Sequence, residues 1–276
     1  MNPTIAIQGF EGSFHQIAAQ HYFGPALTLA PCATFTEVVR QVTCGEAHRG
    51  VMAIENSIAG SILPNYNLLQ QNELQISGEV YLTIGQHLMA LPGQSLDDIR
   101  EVHSHPMALL QCADFLSQYP HLRLVETEDT ALSAKRIRDN QLAGVAAVAG
   151  RLAADLFEMD ILAADIQSAK ENYTRFLVVE RPEDAQSVAR PNKASLYFHT
   201  VNTPGSLVKV LSCIADHNIN LSKLQSIPHP GRIWEYFILA DLEFDRPEQF
   251  QDALHAVEQV AEGLRVLGVY QKGITY

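Results

Sequence analysis

The chain has 276 residues, 47% of them hydrophobic, so it is long enough to bury the core of one large domain or of two smaller ones. Its formal net charge of −12 makes nucleic acid and anionic membrane surfaces poor partners. The chain contains no apolar run of about 18 residues, and its first residues lack the basic and apolar segments of a signal peptide. The four cysteines show no paired spacing, so we expect neither a zinc site nor a disulfide framework and place the protein in a reducing cytoplasm.

Short apolar strands alternate with helices in the predicted pattern of residues 1–182. The first strand covers residues 5–7, and Ser13 with Gln16 matches a capping box that starts a helix. Thr34 and Glu37 repeat this capping pattern before a second helix. The alternation indicates a mostly parallel, doubly wound α/β sheet. In such sheets, ligands bind beyond the carboxyl ends of the strands.

Polar residues follow three of the predicted strands at their carboxyl ends. They are Glu55, Asn56 and Ser57 after residues 51–54, Ser104 and His105 after residues 99–102, and Asp129 and Thr130 after residues 122–125. Ser, Asp and Thr are also ordinary helix caps, so one such junction alone would carry little weight. Their recurrence at several junctions predicts a shared ligand cleft.

A further polar group, made of Asn172, Thr174 and Arg175, directly precedes the apolar run 176–179. The run predicts a buried strand, which would hold the polar group on a rigid element. Arginine offers a bidentate fork to a carboxylate, and the amide and hydroxyl add further polar contacts. Thr174 and Arg175 face opposite sides of a regular strand, but at a kinked strand entrance both can reach one ligand. The alternative is a polar turn before an ordinary strand.

The pattern changes after the polar, proline-marked segment 181–187. Beyond it we predict a ferredoxin-like βαββαβ unit, with strands over 193–200, 219–227, 233–242 and 264–270 and helices over 207–214 and 250–260. The sequence also predicts a turn at His229-Pro230-Gly231 between the second and third of these strands. The predicted organisation is a first domain over 1–182, a linker over 183–191 and a second domain over 192–276.

The chain resembles prephenate dehydratase with a C-terminal ACT regulatory domain over essentially its whole length. The matching segments are Gly9-Phe10-Glu11-Gly12-Ser13-Phe14, Ile54-Glu55-Asn56-Ser57-Ile58-Ala59-Gly60-Ser61, Ser104-His105-Pro106 with Gln111-Cys112, Asp129-Thr130-Ala131, and Asn172-Tyr173-Thr174-Arg175-Phe176. Their order and spacing together are highly specific. The resemblance implies a two-lobed catalytic domain similar to type-2 periplasmic-binding proteins, with the active site in a cleft between the lobes.

The resemblance also implies a reaction, the conversion of prephenate to phenylpyruvate with loss of CO₂ and water and with no cofactor or metal. The implied catalytic residues are Thr174, Glu55 and Asn56. The implied substrate-binding residues are Arg175, Ser57, Ser104, Gln111, Thr130 and Asn172. The source of the proton for the leaving hydroxyl stays open between Glu55, His105 and water.

The second domain looks like an ACT domain that senses L-phenylalanine, and such domains usually pair side by side, so we expect a homodimer or homotetramer. The implied effector-binding residues are Gly205, Ser206, Leu207 and Val208 in one segment and Gln225 and Ser226 in another. Gln225 and Ile227 stand where family members typically carry Glu and Arg. Two alternative functions remain: arogenate dehydratase, whose substrate has an amino group in place of the keto oxygen, and a non-catalytic amino-acid sensor.

Overall fold

The computed structural model describes residues 2–201, 203–228 and 236–276. By its internal contacts the chain divides into two compact units. The first unit contains Met1–Asn65, Val80–Phe176 and Thr275–Tyr276, and the second contains Tyr66–Glu79 and Leu177–Ile274. The segment Tyr66–Glu79 therefore groups with the C-terminal part of the chain, which the sequence pattern does not predict.

Strands and helices alternate through most of the chain. The strands are β1 (Thr4–Gln8), β2 (Thr28–Cys32), β3 (Arg49–Asn56), β4 (Gly60–Ser61), β5 (Gln75–Thr83), β6 (His87–Ala90), β7 (Glu101–Ser104), β8 (Arg123–Glu126), β9 (Val145–Ala149), β10 (Asp160–Ala163), β11 (Tyr173–Glu180), β12 (Lys193–His199), β13 (Asn220–Pro228), β14 (Tyr236–Glu243) and β15 (Glu262–Tyr270). The helices are α1 (Phe14–Phe23), α2 (Phe35–Thr43), α3 (Leu63–Gln71), α4 (Pro106–Gln111), α5 (Ala113–Leu116), α6 (Thr130–Asp139), α7 (Arg151–Leu156), α8 (Ser206–Asp216) and α9 (Pro247–Glu258). Among the residues that the structure describes, no helix is long and apolar enough to cross a membrane.

The first sheet has the order β2-β1-β3-β11-β5, with the short β4 paired to β3. β1 runs parallel to both β2 and β3, as the strand–helix alternation predicts. The two predicted helix starts are confirmed, because Ser13 accepts the Gln16 N–H and Thr34 accepts the Glu37 N–H. The Gln16 side chain completes the first cap by accepting the N–H of Gly12, one residue before Ser13.

The second sheet has the order β10-β6-β9-β7-β8, with β7 parallel to β8 and β9. Two apolar clusters pack against this sheet. Leu88 belongs to one cluster and its neighbour Met89 to the other, because successive side chains of a strand point to opposite faces. The sheet is therefore covered on both sides, as the doubly wound fold requires.

The third sheet lies in the second unit and has the order β13-β14-β12-β15. Its pairings are antiparallel, and its elements follow each other as β12-α8-β13-β14-α9-β15. The predicted ferredoxin-like unit is confirmed. Val210 and Phe250 bring the two helices into one core with Leu196 and Ala240 of the sheet. The predicted turn at His229-Pro230-Gly231 and the predicted strand start at residue 233 lie outside the described residues.

Candidate active site

A cavity of about 290 Å³ opens in the first unit. Strands β3 and β11 of the first sheet form one part of its wall. The starts of helices α4 and α6 form another part. Its polar lining residues are Gln8, Ser13, His15, Asn56, Gln86, His105, Gln111, Glu128, Asp129, Thr130 and Thr174. The volume lies near the lower end of the range for small-molecule pockets, about 300 to 1,000 Å³.

Asn56, at the end of β3, is the centre of the hydrogen-bond network beside the cavity. Its Oδ1 accepts the backbone N–H groups of Ile58 and Ala59 at 3.0 and 2.9 Å. Because these contacts fix which end of the amide is the oxygen, the Nδ2 end must donate. It lies 3.0 Å from Thr174 Oγ1, 2.7 Å from Asn172 Oδ1 and 3.1 Å from the Tyr173 carbonyl.

Thr174 presents its hydroxyl to the cavity. The contact from Asn56 occupies an acceptor position of Oγ1. Among the described residues Oγ1 has no other hydrogen-bond partner, so its proton is available for a ligand. Phe176 lines the same wall, because residues two apart in a strand share a face.

Asn172 and Gln111 extend this network behind the cavity wall. The Asn172 side chain is fully buried, accepts from Asn56 and donates from Nδ2 to Gln111 Oε1 at 3.3 Å. Gln111 itself lines the cavity and keeps its amide NH₂ for a ligand. Asn172 therefore connects the end of β3 with α4 and does not reach the cavity surface.

Arg175 and Glu55 are not among the described residues that line the cavity. Arg175 follows Thr174 within the regular part of β11, so strand alternation turns it to the other face. It is 4% exposed, and its guanidinium carbon lies 5.9 Å from the centre of the Tyr81 ring. Glu55 precedes Asn56 in β3 in the same way and is paired in register with Ser61 of β4.

Ser57 and Ser104 hold neighbouring elements together. The Ser57 N–H donates to the Tyr173 carbonyl at 2.8 Å, and its Oγ accepts the Tyr173 N–H at 2.9 Å. These two bonds join the carboxyl end of β3 to the start of β11. Ser104 is fully buried, and its Oγ donates to the Val148 carbonyl at 2.6 Å, across from β7 to β9. Substrate binding by these serines stays a prediction that this geometry does not support.

Asp129 caps α6 and faces the cavity. Its Oδ1 accepts the Leu132 N–H at 2.8 Å, and burial raises the pKa of its carboxyl above the ordinary value. Gly9 has a positive φ of 92°, and a Cβ placed there would come within 2.9 Å of Asp129 Oδ2. The glycine turn after β1 thus leaves room for this carboxylate.

The cavity wall contains the carboxyl groups of Glu128 and Asp129, and its hydrogen-bond donors are neutral side chains and backbone N–H groups. None of the lining residues in the described part of the chain is Lys or Arg. Helix α1 begins at the wall next to Ser13, whereas the start of α6 at Thr130 is already capped by the Asp129 carboxylate. Helix N-termini carry a partial positive charge and free N–H groups, which favour anions.

Five polar lining residues were not expected from the sequence to act at the site: Gln8, Ser13, His15, Gln86 and Glu128. His15 is the second residue of α1 and also contacts β3 and β11 through the Ala53 N–H and the Phe176 ring. Gln86 is 3% exposed, and its Oε1 has no hydrogen-bond partner among the described residues. No motif marks either residue, because each reaches the cavity only through tertiary packing.

The comparison with known families decides the identity of the chain. A family model described as prephenate dehydratase matches residues 5–184, and one described as ACT domain matches residues 194–259. The chain belongs to the prephenate dehydratase family. It is therefore an enzyme of this family with a C-terminal ACT domain, and the predicted fold class is confirmed.

Characterised relatives align with almost the whole chain. The bifunctional chorismate mutase/prephenate dehydratase of Enterobacter agglomerans is 33% identical over 270 residues, covering 96% of this chain and 70% of the relative. The arogenate dehydratase/prephenate dehydratase 2, chloroplastic, of Arabidopsis thaliana is 37% identical over 276 residues, covering 96% of this chain and 72% of the relative. The prephenate dehydratase family thus includes relatives named for either substrate.

Two solved structures are similar over nearly the full length. Prephenate dehydratase from Arthrobacter aurescens in complex with L-Phe superposes with a TM-score of 0.84 and 26% identity, covering 97% of this chain and 90% of that one. GqqA, described as a novel type of quorum quenching acylase, superposes with a TM-score of 0.86 and 31% identity, covering 98% of both chains.

The residues predicted to bind an effector lie in the ACT domain. Gly205 adopts a left-handed conformation with φ of 84° directly before α8, which begins at Ser206. Leu207 and Val208 follow in the first turn of this helix, and the Val208 side chain is 63% exposed. Gln225 and Ser226 lie in β13, an edge strand of the third sheet.

Proposed function

We propose that the protein converts prephenate to phenylpyruvate, and that Thr174 is its principal catalytic residue. The observation that carries this proposal is the Thr174 hydroxyl, which accepts from Asn56 and keeps its own proton for a ligand in the cavity. Family membership and the cavity volume support the same assignment.

The chemistry requires a donor at the leaving hydroxyl. Prephenate loses a ring carboxylate as CO₂ and a hydroxide from the opposite end of the ring, and the electron pair of the broken C–C bond completes the aromatic system. A proton converts the leaving hydroxide to water. A fixed hydrogen-bond donor at this oxygen stabilises the charge that develops there. In this proposal Thr174 is that donor and Asn56 positions it.

A threonine hydroxyl is a weak acid, so a proton must reach the leaving group from a second source. Glu55, His105 and water were the alternatives. His105 lines the cavity, whereas the lining residues in the described part of the chain do not include Glu55. His105 Nδ1 accepts the Met107 N–H at 3.2 Å, so the neutral ring carries its proton on Nε2. A neutral imidazole is also too weak an acid to supply this proton, so we assign the proton to water, with the His105 Nε2–H as a hydrogen-bond donor to that water.

The carboxylates of prephenate need partners in a wall without lysine or arginine. Backbone N–H groups at the start of α1, with the side chains of Thr130 and Gln111, are the groups we assign to them. Arg175 can take part only if its guanidinium leaves the face of β11 that it occupies here. If Arg175→Lys left both KM and turnover unchanged, a role in carboxylate binding would be excluded.

Feedback inhibition by L-phenylalanine through the ACT domain is the regulatory part of the proposal. The related Arthrobacter aurescens enzyme is solved in complex with L-Phe. In this chain Gly205, Ser206, Leu207 and Val208, with Gln225 and Ser226, are the residues we assign to the effector. The edge strand β13 supports assembly as a homodimer or homotetramer, because exposed edges favour pairing.

Turnover of prephenate and, separately, of arogenate, with and without L-phenylalanine, tests the proposal. We expect phenylpyruvate from prephenate and a lower rate when L-phenylalanine is present. Activity on arogenate alone would move the substrate assignment to the alternative that the Arabidopsis thaliana relative's name includes. Absence of turnover with both substrates would contradict the enzyme assignment and favour a non-catalytic sensor.

A further inference from the structure

His15 is held rigidly in the wall of the cavity. Its ring packs edge-on against Phe176 with ring centres 5.0 Å apart, and it lies tilted at 5.4 Å from Phe35. The two aromatic rings come from β11 and α2, and the Ala53 N–H that contacts the imidazole comes from β3, so three elements fix its position. A side chain fixed this firmly beside a ligand cavity can act as a directional hydrogen-bonding group.

The contacts of His15 determine where its proton lies. The backbone N–H of Ala53 donates to Nε2 at 3.3 Å, so Nε2 carries a lone pair. Burial lowers the pKa of the imidazole to about 3, so the ring is neutral at physiological pH. A neutral imidazole with an accepting Nε2 carries its proton on Nδ1. Among the described residues, no group accepts a hydrogen bond from this Nδ1–H.

His15 and Thr174 form one wall. The imidazole packs on Phe176, which lies two residues beyond Thr174 on the same face of β11 and so about 6.6 Å along the strand. Both residues line the cavity. The wall therefore presents two uncharged donors, a hydroxyl and an imidazole N–H, in a cavity where the described lining residues include no Lys or Arg.

We propose that His15 is a substrate-binding residue that donates its Nδ1–H to a carboxylate oxygen of the substrate while Thr174 serves the hydroxyl. The inference rests on the proposed function and deepens it. The two polar ends of prephenate, its carboxylates and its ring hydroxyl, lie at opposite ends of the ring, and the wall carries donors in two separate positions. Because the His15 donor is uncharged, carboxylate binding through it does not require protonation of the imidazole.

Two isosteric substitutions separate this role from a structural one. His15→Asn places an amide NH₂ near the position of Nδ1 but cannot accept the Ala53 N–H as Nε2 does. His15→Gln places a carbonyl oxygen near the position of Nε2, which keeps the Ala53 contact and removes the donor to the substrate. His15→Phe preserves the packing between Phe35 and Phe176 and removes both contacts.

The measurements are kcat and KM for prephenate with wild type and the three variants. We expect His15→Gln and His15→Phe to lower kcat/KM by about 10- to 100-fold, mainly through KM, as the loss of a hydrogen bond to a charged group predicts. His15→Asn should stay within about tenfold of wild type. The wild-type KM should show no step near pH 6.5, the ordinary pKa of histidine.

Each other outcome has a defined meaning. Equal kinetics in wild type and His15→Phe would overturn the inference, and so would recovery by His15→Gln with loss in His15→Asn, since that pattern marks a cap for the Ala53 N–H. If His15→Phe does not fold, the Asn and Gln pair decides alone. If wild type does not turn over prephenate, the proposed function fails, and calorimetric binding of prephenate to the Asn and Gln variants then tests His15. Equal affinities in that experiment would overturn the inference.

Discussion

Two groups of polar side chains, one in each unit, are arranged in opposite ways. In the second unit, Lys193 and Glu79 are almost fully buried, and the Lys193 Nζ lies 2.9 and 3.1 Å from the two carboxylate oxygens. Glu79 also accepts the N–H of Gly273 at 3.1 Å. In the first unit, Thr174 and His15 border a cavity and keep a proton that no described residue accepts. The first arrangement pairs its charges, and the second leaves donors for a ligand.

A second group in the second unit follows the same rule of mutual pairing. Ser195, Asp241 and Tyr270 are all buried. The Ser195 hydroxyl donates to Asp241, so the Tyr270 hydroxyl must be the donor in its 2.6 Å contact with Ser195. Each of these three side chains has a hydrogen-bond partner within the group. Buried polar groups that satisfy one another stabilise a unique packing, whereas unsatisfied donors at a cavity suit binding.

The largest effect is expected where one charge of the buried pair is removed. Glu79→Leu leaves Lys193 buried without its closest carboxylate, and breaking such a pair lowers the free energy of unfolding by about 3–5 kcal/mol. Urea unfolding of the full chain measures this change. The double variant Glu79→Leu/Lys193→Met should recover most of the loss, because it removes both charges.

An exposed ion pair provides the control for this experiment. Arg40 and Glu46 are in contact at 3.1 Å, with both side chains more than half exposed. Substituting either should leave the unfolding midpoint nearly unchanged, because solvent screens such pairs. Equal losses at the buried and exposed pairs would contradict the distinction drawn between them.

The next effect in size is expected at Asn56, whose amide holds the Thr174 hydroxyl. Asn56→Ala removes this contact, so we expect kcat to fall by about 10- to 100-fold, the size expected when a hydrogen-bond partner is lost. Ser104→Ala is the matched control, since Ser104 is fully buried and bonded to Val148. It should lower stability by about 1 kcal/mol and leave kcat unchanged. A large loss of kcat in Ser104→Ala would restore its predicted role in substrate binding.

The smallest effect is expected at Asp129 and depends on pH. Burial raises the pKa of its carboxyl in the folded state, so folding favours the protonated form. Below about pH 3.9, the ordinary pKa of the carboxyl, the side chain is protonated in both the folded and the unfolded state. As the pH rises from there through the raised pKa of the folded state, the wild type loses stability relative to Asp129→Asn. Asn keeps the cap on α6. The melting temperature of Asp129→Asn should exceed that of wild type at pH 8 by more than at pH 4, and the opposite order would contradict the raised pKa.

Local sequence patterns predicted the parts of the fold that local contacts decide. The caps at Ser13 and Thr34 join residues three apart in the chain, and the βαββαβ order follows from the periodicity of apolar residues. The strand predicted over 99–102 instead covers Glu101–Ser104. Asp98 accepts the Ser95 N–H and stabilises a short 3₁₀ turn over Leu96–Asp98, which delays the start of the strand.

The site was predicted in part, through residues at the ends of strands. Asn56, Gln111, Thr130 and Thr174 are brought to the cavity or its network, as the resemblance implied. The burial of Ser104 depends on which face of β7 packs inward. The position of Arg175 depends on whether β11 is already a regular strand at that residue, because a regular strand turns Arg175 away from the face that carries Thr174. His15 meets Ala53 and Phe176, which are far away in sequence. Such contacts are absent from any local pattern.

The turnover number of Thr174→Ala with prephenate, compared with that of Thr174→Ser, tests the central claim most directly. Loss of one placed donor at a developing oxyanion lowers kcat by about 10²- to 10³-fold. We predict this loss for Thr174→Ala, with the melting temperature nearly unchanged, and substantial activity for Thr174→Ser, which keeps the hydroxyl. Thr174→Ala with the kcat of wild type would contradict the account.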